Sequence, residues 1–300
     1  MKKKGNNGRV HLIILAGAAL LALAPGLQSQ EANPARILQE MTWTDVRDYL
    51  KTEDMVIIPL GSTEQHGPHL PLGTDYFQAF GMAKAISEQT GVIVAPVLWV
   101  GYSVYHSGFA GSLSLKPETM EQVLFETAEM LIRYGFRRFM FFNYHGGNRV
   151  AEQKVIHRIN HSTEATAVSL GIGGAMQTNL GPEPAPFDQH AGIGETSNML
   201  YLRPDLVRME RAEKPKLSFS PEMRRIMELA ERYSALNVVL GTMMAVPEET
   251  GKGGASHELS SNGIWTMGDP RESNRELGEK KIKVMIKNAV DFIHAWKKVD

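Results

Sequence analysis

Cysteine is absent from the sequence. Disulfides, thiolate metal ligands and a cysteine nucleophile are excluded with it. An excess of charge of either sign is also missing: 32 basic residues face 33 acidic ones, a formal net charge of −1. That balance gives no reason to expect nucleic acid or an anionic membrane as partner. There is no G-x-S-x-G elbow, no P-loop and no dinucleotide fingerprint, so serine hydrolysis and nucleotide chemistry have little support. Repeats and low-complexity tracts are lacking as well.

Long apolar runs are scarce, and the one present is at the start. Lys2, Lys3, Lys4 and Arg9 precede an uninterrupted apolar run, Leu12 to Ala24, which Pro25-Gly26 breaks before Gln28, Ser29 and Gln30. This is the three-part layout of a secretory signal. The run is shorter than the roughly 20 residues of a membrane span; an uncleaved apolar anchor is the alternative. The expectation is a signal peptide at 1–29, no stable membrane span after its cleavage, and an exported protein, periplasmic or extracellular, with a single domain at 30–300.

What is present is ordinary globular composition, 43% apolar and 22% charged, enough for a substantial core. Apolar strand-like runs alternate with helical patterns, which predicts βαβ units and a mostly parallel sheet. Strands are expected at Met55–Leu60, Val92–Val97, Arg138–Phe142 and Ala165–Leu170. Helices are expected at Tyr76–Gln89, Pro117–Tyr134, Arg149–Ile159, Glu195–Leu202 and Pro221–Ala235. In the second of these, Met120, Val123, Leu124, Ala128 and Leu131 form the predicted buried stripe. A capping box at Ser273 to Glu276 opens a last helix reaching about Trp296. Val246–Asn262 is read as a long functional or flexible loop.

Three segments concentrate ligand-type side chains. Gly61 to Asp75 reads GSTEQHGPHLPLGTD and follows the first strand. Glu64 and His66 share one face of an extended segment, and Asp75 follows a turn containing Pro68 and Pro71. Asn143 to Asn148 reads NYHGGN after the third strand. Asp188 to Gly192 reads DQHAG, with Glu195 at a helix start. Carboxylate and imidazole hold Zn²⁺, Mn²⁺ or Fe²⁺, and loops at the carboxyl edge of a sheet are where open α/β folds build sites. Asp75 serves equally well as an N-cap for the following helix. His69 is read as a supporting residue, and His106 either lines the cleft or satisfies its own loop. His157, His161, His257 and His294 are read as surface residues.

These motifs, with GFAGSLSL at Gly108–Leu115, HAGIGETS at His190–Ser197 and MGDP at Met267–Pro270, resemble the creatininase family of amidohydrolases from about Trp43 to the last helix. The resemblance implies a three-layer α/β/α sandwich and two divalent ions, Zn²⁺ or Mn²⁺ with Fe²⁺ as a further option. It also implies hydrolysis of a C–N bond in a small amide by a metal-activated hydroxide, and a homo-oligomer, a hexamer in the family pattern. By position Glu64, His66, Asp75 and His145 match metal ligands, with Asp75 as the bridge, and His190 matches a catalytic histidine. Three departures stand out. Gly147 replaces an acid that ligates metal in creatininase itself, which makes Glu195 the candidate for completing the second site. Ile193 stands where many relatives carry Glu, and Tyr144 where Gly is common. The stretch Pro182–Gln189 offers Phe187 but no tryptophan, which argues against creatinine as the substrate. Trimming of short peptides, or capture of a small ligand without turnover, are the alternative functions.

Overall fold

The computed structural model describes Met1, residues 34–171 and residues 188–299. The chain divides into Met1–Ala32 and Asn33–Asp300, and the second unit holds the sheet and its helices. The expected signal at 1–29 and Phe187 lie outside the described residues. No helix among the described residues is long and apolar enough to cross a membrane.

The frame is a parallel sheet in the order β2-β1-β3-β4, formed by β1 (Met55–Leu60), β2 (Ile93–Val94), β3 (Arg138–Asn143) and β4 (Thr166–Ser169). β1 and β3 pair in register from Met55 with Arg138 to Leu60 with Asn143. Both are buried along almost their whole length, as expected of strands covered on two faces. Successive side chains in a strand point to opposite faces, and here they feed separate cores. Val56, Ile58, Phe139 and Phe141 pack with α3 (Pro117–Tyr134) and α4 (Arg149–Ser162). Met55, Ile57, Met140 and Phe142 pack with α2 (Thr74–Thr90) and the final helix Arg275–Trp296. Helices on both faces make the predicted α/β/α sandwich.

Several boundaries differ from the sequence pattern. The second strand pairs only through Ile93–Val94 rather than Val92–Val97, because the next rung after Ala95 N–H to the Ile57 carbonyl would need an N–H from Pro59 of β1, which has none. Beyond it, Leu98 returns as an isolated bridge to Leu60. In α3, Val123 faces solvent, and Phe125 joins the buried stripe in its place. The second half has α5 (Ile193–Leu202), α6 (Pro221–Ala230), α7 (Asn237–Met243), α8 (Ser256–Leu259) and α9 (Arg275–Trp296). The helix expected to reach Ala235 therefore stops at Ala230. The chain folds back so that Met223 of α6 and Met243 of α7 reach one cluster with Tyr105, Leu259 and Trp265. The predicted Ser273 cap is displaced by one residue: Asn274 accepts the Leu277 N–H at 2.9 Å, while Ser273 donates to the Ile193 carbonyl.

Candidate metal centre

The carboxyl ends of β1 and β3 deliver two loops to one place, and the segment leading into α5 closes on them. The first loop is fixed by backbone bonds, with the Glu64 N–H donating to the Leu72 carbonyl at 2.8 Å. Asp75 lies in the first turn of α2, and Gly73 occupies the N-cap position. Its carboxylate is therefore released from capping and turns inward. There the Ser62 hydroxyl donates to Oδ2 at 2.8 Å, and the positive end of the helix dipole favours the charge.

Glu64, His66, Asp75 and His145 are all buried, as is His190, and Glu195 keeps 22% of its side chain exposed. His66 Nε2 lies 3.3 Å from Asp75 Oδ1 and 3.8 Å from Glu195 Oε2. His145 Nδ1 lies 3.1 Å from Asp75 Oδ2, and its Nε2 lies 3.2 Å from Glu64 Oε2. Asp75 thus turns one oxygen toward His66 and Glu195 and the other toward His145. The five sequence-predicted ligand candidates meet at one point.

The tautomers follow from the remaining partners. His66 Nδ1 donates to the Glu64 carbonyl at 3.1 Å, so Nε2 is the nitrogen turned to the carboxylates and carries the lone pair in the neutral ring. His145 Nε2 donates to the Tyr102 carbonyl at 2.9 Å, leaving Nδ1 toward Asp75. His190 Nε2 donates to the Gln65 carbonyl at 2.6 Å. Its Nδ1 then faces inward, 3.9 Å from Glu64 Oε1.

The residues fit divalent ions. Glu64 Oε2, His66 Nε2 and Asp75 Oδ1 are buried with no hydrogen-bond partner, a state that native interiors avoid unless something else satisfies the atoms. Ligands about 2.0–2.2 Å from a tetrahedral ion stand about 3.3–3.6 Å from one another, close to the separations seen here. Glu64 with His66 and Asp75, and His66 with His190 and Glu195, each converge closely enough to share an ion. Electrostatics agree. Burial pushes the His66 pKa down, but Asp75 and then Glu195 outweigh it and lift it to about 10. Burial raises the Glu64 carboxyl, yet His106 and His145 hold it well below the usual range. Burial lifts Glu195 to about 7. Protons gather where cations are called for.

The departures noted in the sequence have local reasons. A methyl group on Gly147 would overlap the Tyr102 carbonyl oxygen and crowd His145 Nε2 and the Tyr105 hydroxyl. No acid fits there, and Glu195 reaches His66 instead. Tyr144 does not narrow the cleft. It is buried in the cluster beneath the sheet edge, and its hydroxyl accepts from Asn198 at 2.8 Å. His69 sits apart from the ligand atoms with Nε2 2.9 Å from Thr196 Oγ1, and burial lowers its pKa to about 4. His257 is half-buried and meets Glu248 at 3.3 Å, so it is less of a surface residue than expected.

Three further residues of this centre carry no ligand pattern in the sequence. Of the two options open for His106, the structure takes the cleft: the ring is fully buried with Nε2 3.2 Å from Glu64 Oε1, and it stacks on His190 at 4.4 Å. Gln65 and Ser256 lie beside it, and sequence reasoning missed both. Ser256 belongs to the segment read as a loop, and there it forms part of α8 and is buried. The one available signal was the place of Gln65 next to Glu64 in the first motif.

An α/β/α sandwich with a buried acid–imidazole centre at the carboxyl edge of its sheet is thus defined. The family model for creatininase, creatinine amidohydrolase, matches residues 39–293, and the chain belongs to that family. It is 35% identical over 195 residues to the 3-dehydro-scyllo-inosose hydrolase of Thermotoga maritima, covering 61% of this chain and 62% of that protein. It is 29% identical over 255 residues to the mycofactocin precursor peptide peptidase of Mycolicibacterium smegmatis, 81% of this chain and 85% of that one. The creatinine amidohydrolase of Pseudomonas putida is 29% identical over 202 residues, 61% of this chain and 78% of its own. A solved Mn creatininase superposes with a TM-score of 0.69 at 22% identity, covering 88% of this chain and 99% of that one.

Proposed function

We propose that the chain is an exported amidohydrolase that uses two divalent ions to cleave the C–N bond of a small amide. The observation that carries this reading is the division of Asp75 between two ligand sets. Asp75 with Glu64 and His145 would hold one ion, and Asp75 with His66 and Glu195 the other. Solved relatives described as a Mn creatininase and as a mutant of Zn-Zn type support divalent metal at such a centre. When bound, the ions supply Lewis acidity and lower the pKa of water toward neutrality.

The side chains around them divide the remaining work. His190 is held by the Gln65 carbonyl, so only Nδ1 is available to the reacting groups. Burial, then His66 and His106, push its pKa well below the usual value, so it enters the reaction neutral. A neutral imidazole accepts the proton of the attacking water on Nδ1 and returns it to the departing nitrogen. Glu195 is the one partly exposed member of the centre. Export rests on the N-terminal sequence pattern, and a homo-oligomer on the family resemblance.

A second reading, trimming of short peptides, is favoured by one observation: the peptide peptidase relatives match more of the chain than the creatinine amidohydrolase does. Both readings use the same centre. Elemental analysis of protein purified without added metal, paired with turnover of cyclic amides, linear amides and short peptides in Zn²⁺ or Mn²⁺, tests them. The expected result is two divalent ions per chain and hydrolysis that a chelator abolishes. Tight capture of a small amide with no turnover of any of the panel would overturn the enzyme reading.

A further inference from the structure

His106 is close enough to Glu64 and His190 to act as a ligand, but a full donor and acceptor count around it points elsewhere. Gln65 anchors the count. Its side-chain oxygen accepts the Gly67 N–H at 2.9 Å, which fixes the amide and turns Nε2 toward four neighbours. These are the Gly263 carbonyl at 3.1 Å, Ser256 Oγ at 2.8 Å, His106 Nδ1 at 3.1 Å and His190 Nε2 at 3.1 Å. An amide nitrogen carries two protons. The Gly263 carbonyl can only accept, so it takes one. His190 Nε2 spends its own proton on the Gln65 carbonyl and has no lone pair to offer. The second proton goes to the shortest contact, Ser256 Oγ.

Ser256 then has its hydroxyl proton free for His106 Nδ1, 2.9 Å away. With Nδ1 accepting, the proton of the neutral ring is on Nε2, which faces Glu64 Oε1 at 3.2 Å. We propose that Ser256 is a positioning residue: through this chain of bonds it holds His106 as an Nε2–H donor that orients Glu64, so that His106 is an orienting partner and not a metal ligand. Glu64 Oε1 thereby faces a donor, and Oε2, whose neighbour His145 Nε2 spends its proton on the Tyr102 carbonyl, is the oxygen left for an ion. Gly263 belongs to the same device, since a methyl group there would overlap the Gln65 amide oxygen.

The inference rests on the proposed metal-dependent reading and adds a residue from a distant part of the chain. Ser256 sits in α8, at the end of the excursion that contains α6 and α7. That excursion therefore serves the centre and does not merely cover it. Partners that orient metal-ligating groups typically change metal affinity or activity by about 10–100-fold when removed.

The test compares wild type with Ser256→Ala, Ser256→Thr and Ser220→Ala. Ser220 caps α6 by accepting the Met223 N–H, so its loss loosens the excursion without touching His106. Zn²⁺ and Mn²⁺ binding are followed by equilibrium dialysis with elemental analysis. Ser256→Ala should weaken one of the two ions about 10–100-fold and leave the other unchanged. Ser256→Thr, which keeps the hydroxyl, should restore most of that affinity, and Ser220→Ala should bind both ions as wild type does. Equal weakening in Ser220→Ala, or no weakening in Ser256→Ala, overturns the assignment. A separate readout needs no metal: ¹⁵N spectra of the metal-free protein should show His106 protonated on Nε2 with an accepting Nδ1, a signature altered in Ser256→Ala. If wild type binds no ion, the proposed function fails while this spectrum still decides the bond network. A spectrum with His106 protonated on Nδ1 overturns the network whatever the metal content.

Discussion

Asp75 shows how one side chain can be read in two ways from sequence. A carboxylate at the start of a helix is usually a cap, yet here Gly73 takes that place and both Asp75 oxygens face imidazoles. On the other side of the centre, Glu195→Gln should lose the ion shared with His66 while retaining the one held by Glu64 and His145. Metal content falling from two equivalents to one would be the measured outcome; retention of both would remove Glu195 from the ligand set. His190→Asn should lower kcat by about 10²- to 10⁴-fold, the usual worth of a positioned acid–base group. Its metal content should be unchanged, and loss of metal in that variant would contradict the role given to His190. The ligand candidates were legible because acids and imidazoles crowd short loops after apolar strands. His106, Gln65 and Ser256 were not, because a lone histidine, an amide and a serine carry no such pattern. Their role arises only from a count of donors and acceptors across segments up to 198 positions apart, the separation of Gln65 from Gly263.

At the scale of elements, β3 is the most informative piece. Its run Arg138–Asn143 contains three phenylalanines, all fully buried, and it lies between β1 and β4. Phe141→Ala should destabilise the fold by about 3–5 kcal/mol, the range for emptying a large aromatic site in a core. Urea denaturation followed by circular dichroism measures this, and a loss below about 1 kcal/mol would mean the site collapses around the gap. Strand identity was readable because the run is apolar on both faces. Strand length was less so for β2, where Pro59 of the neighbouring β1 lacks the N–H for a ladder that apolarity alone would continue. The excursion from α6 to α8 was the least legible part. Its helices are short, and what fixes them is a distant cluster with Tyr105 and Trp265 rather than local periodicity.

For the molecule as a whole, the centre ties stability to pH. His66 has a folded-state pKa of about 10 in the metal-free protein, above its ordinary 6.5. Its contribution is therefore complete below about pH 6.5 and is lost as pH rises through about 10. Glu195, lifted from 4.5 to about 7, adds a loss in the same direction between those values. Glu64 and Asp75 are held below the carboxylate range. Their contributions are present at neutral pH and disappear as pH falls through their folded-state pKa values. Chemical denaturation of the metal-free protein should show stability declining from pH 6 to pH 10. Saturating Zn²⁺ should flatten that decline, because the ion takes the place of the protons. A metal-free protein equally stable at both ends of this range would contradict the charge arrangement.

The separation of the ligands along the chain has a temporal consequence. Glu64 and Glu195 stand 131 positions apart (195 − 64) and each lies close enough to His66 to share an ion with it, while His145 comes from between them. During synthesis, a nascent polypeptide released only as far as β4 would carry Glu64, Asp75 and His145 for one ion but lack Glu195 for the other. Capture of the second ion is thereby a late event, which a growing chain reaches only when the segment leading into α5 has closed on the first loop.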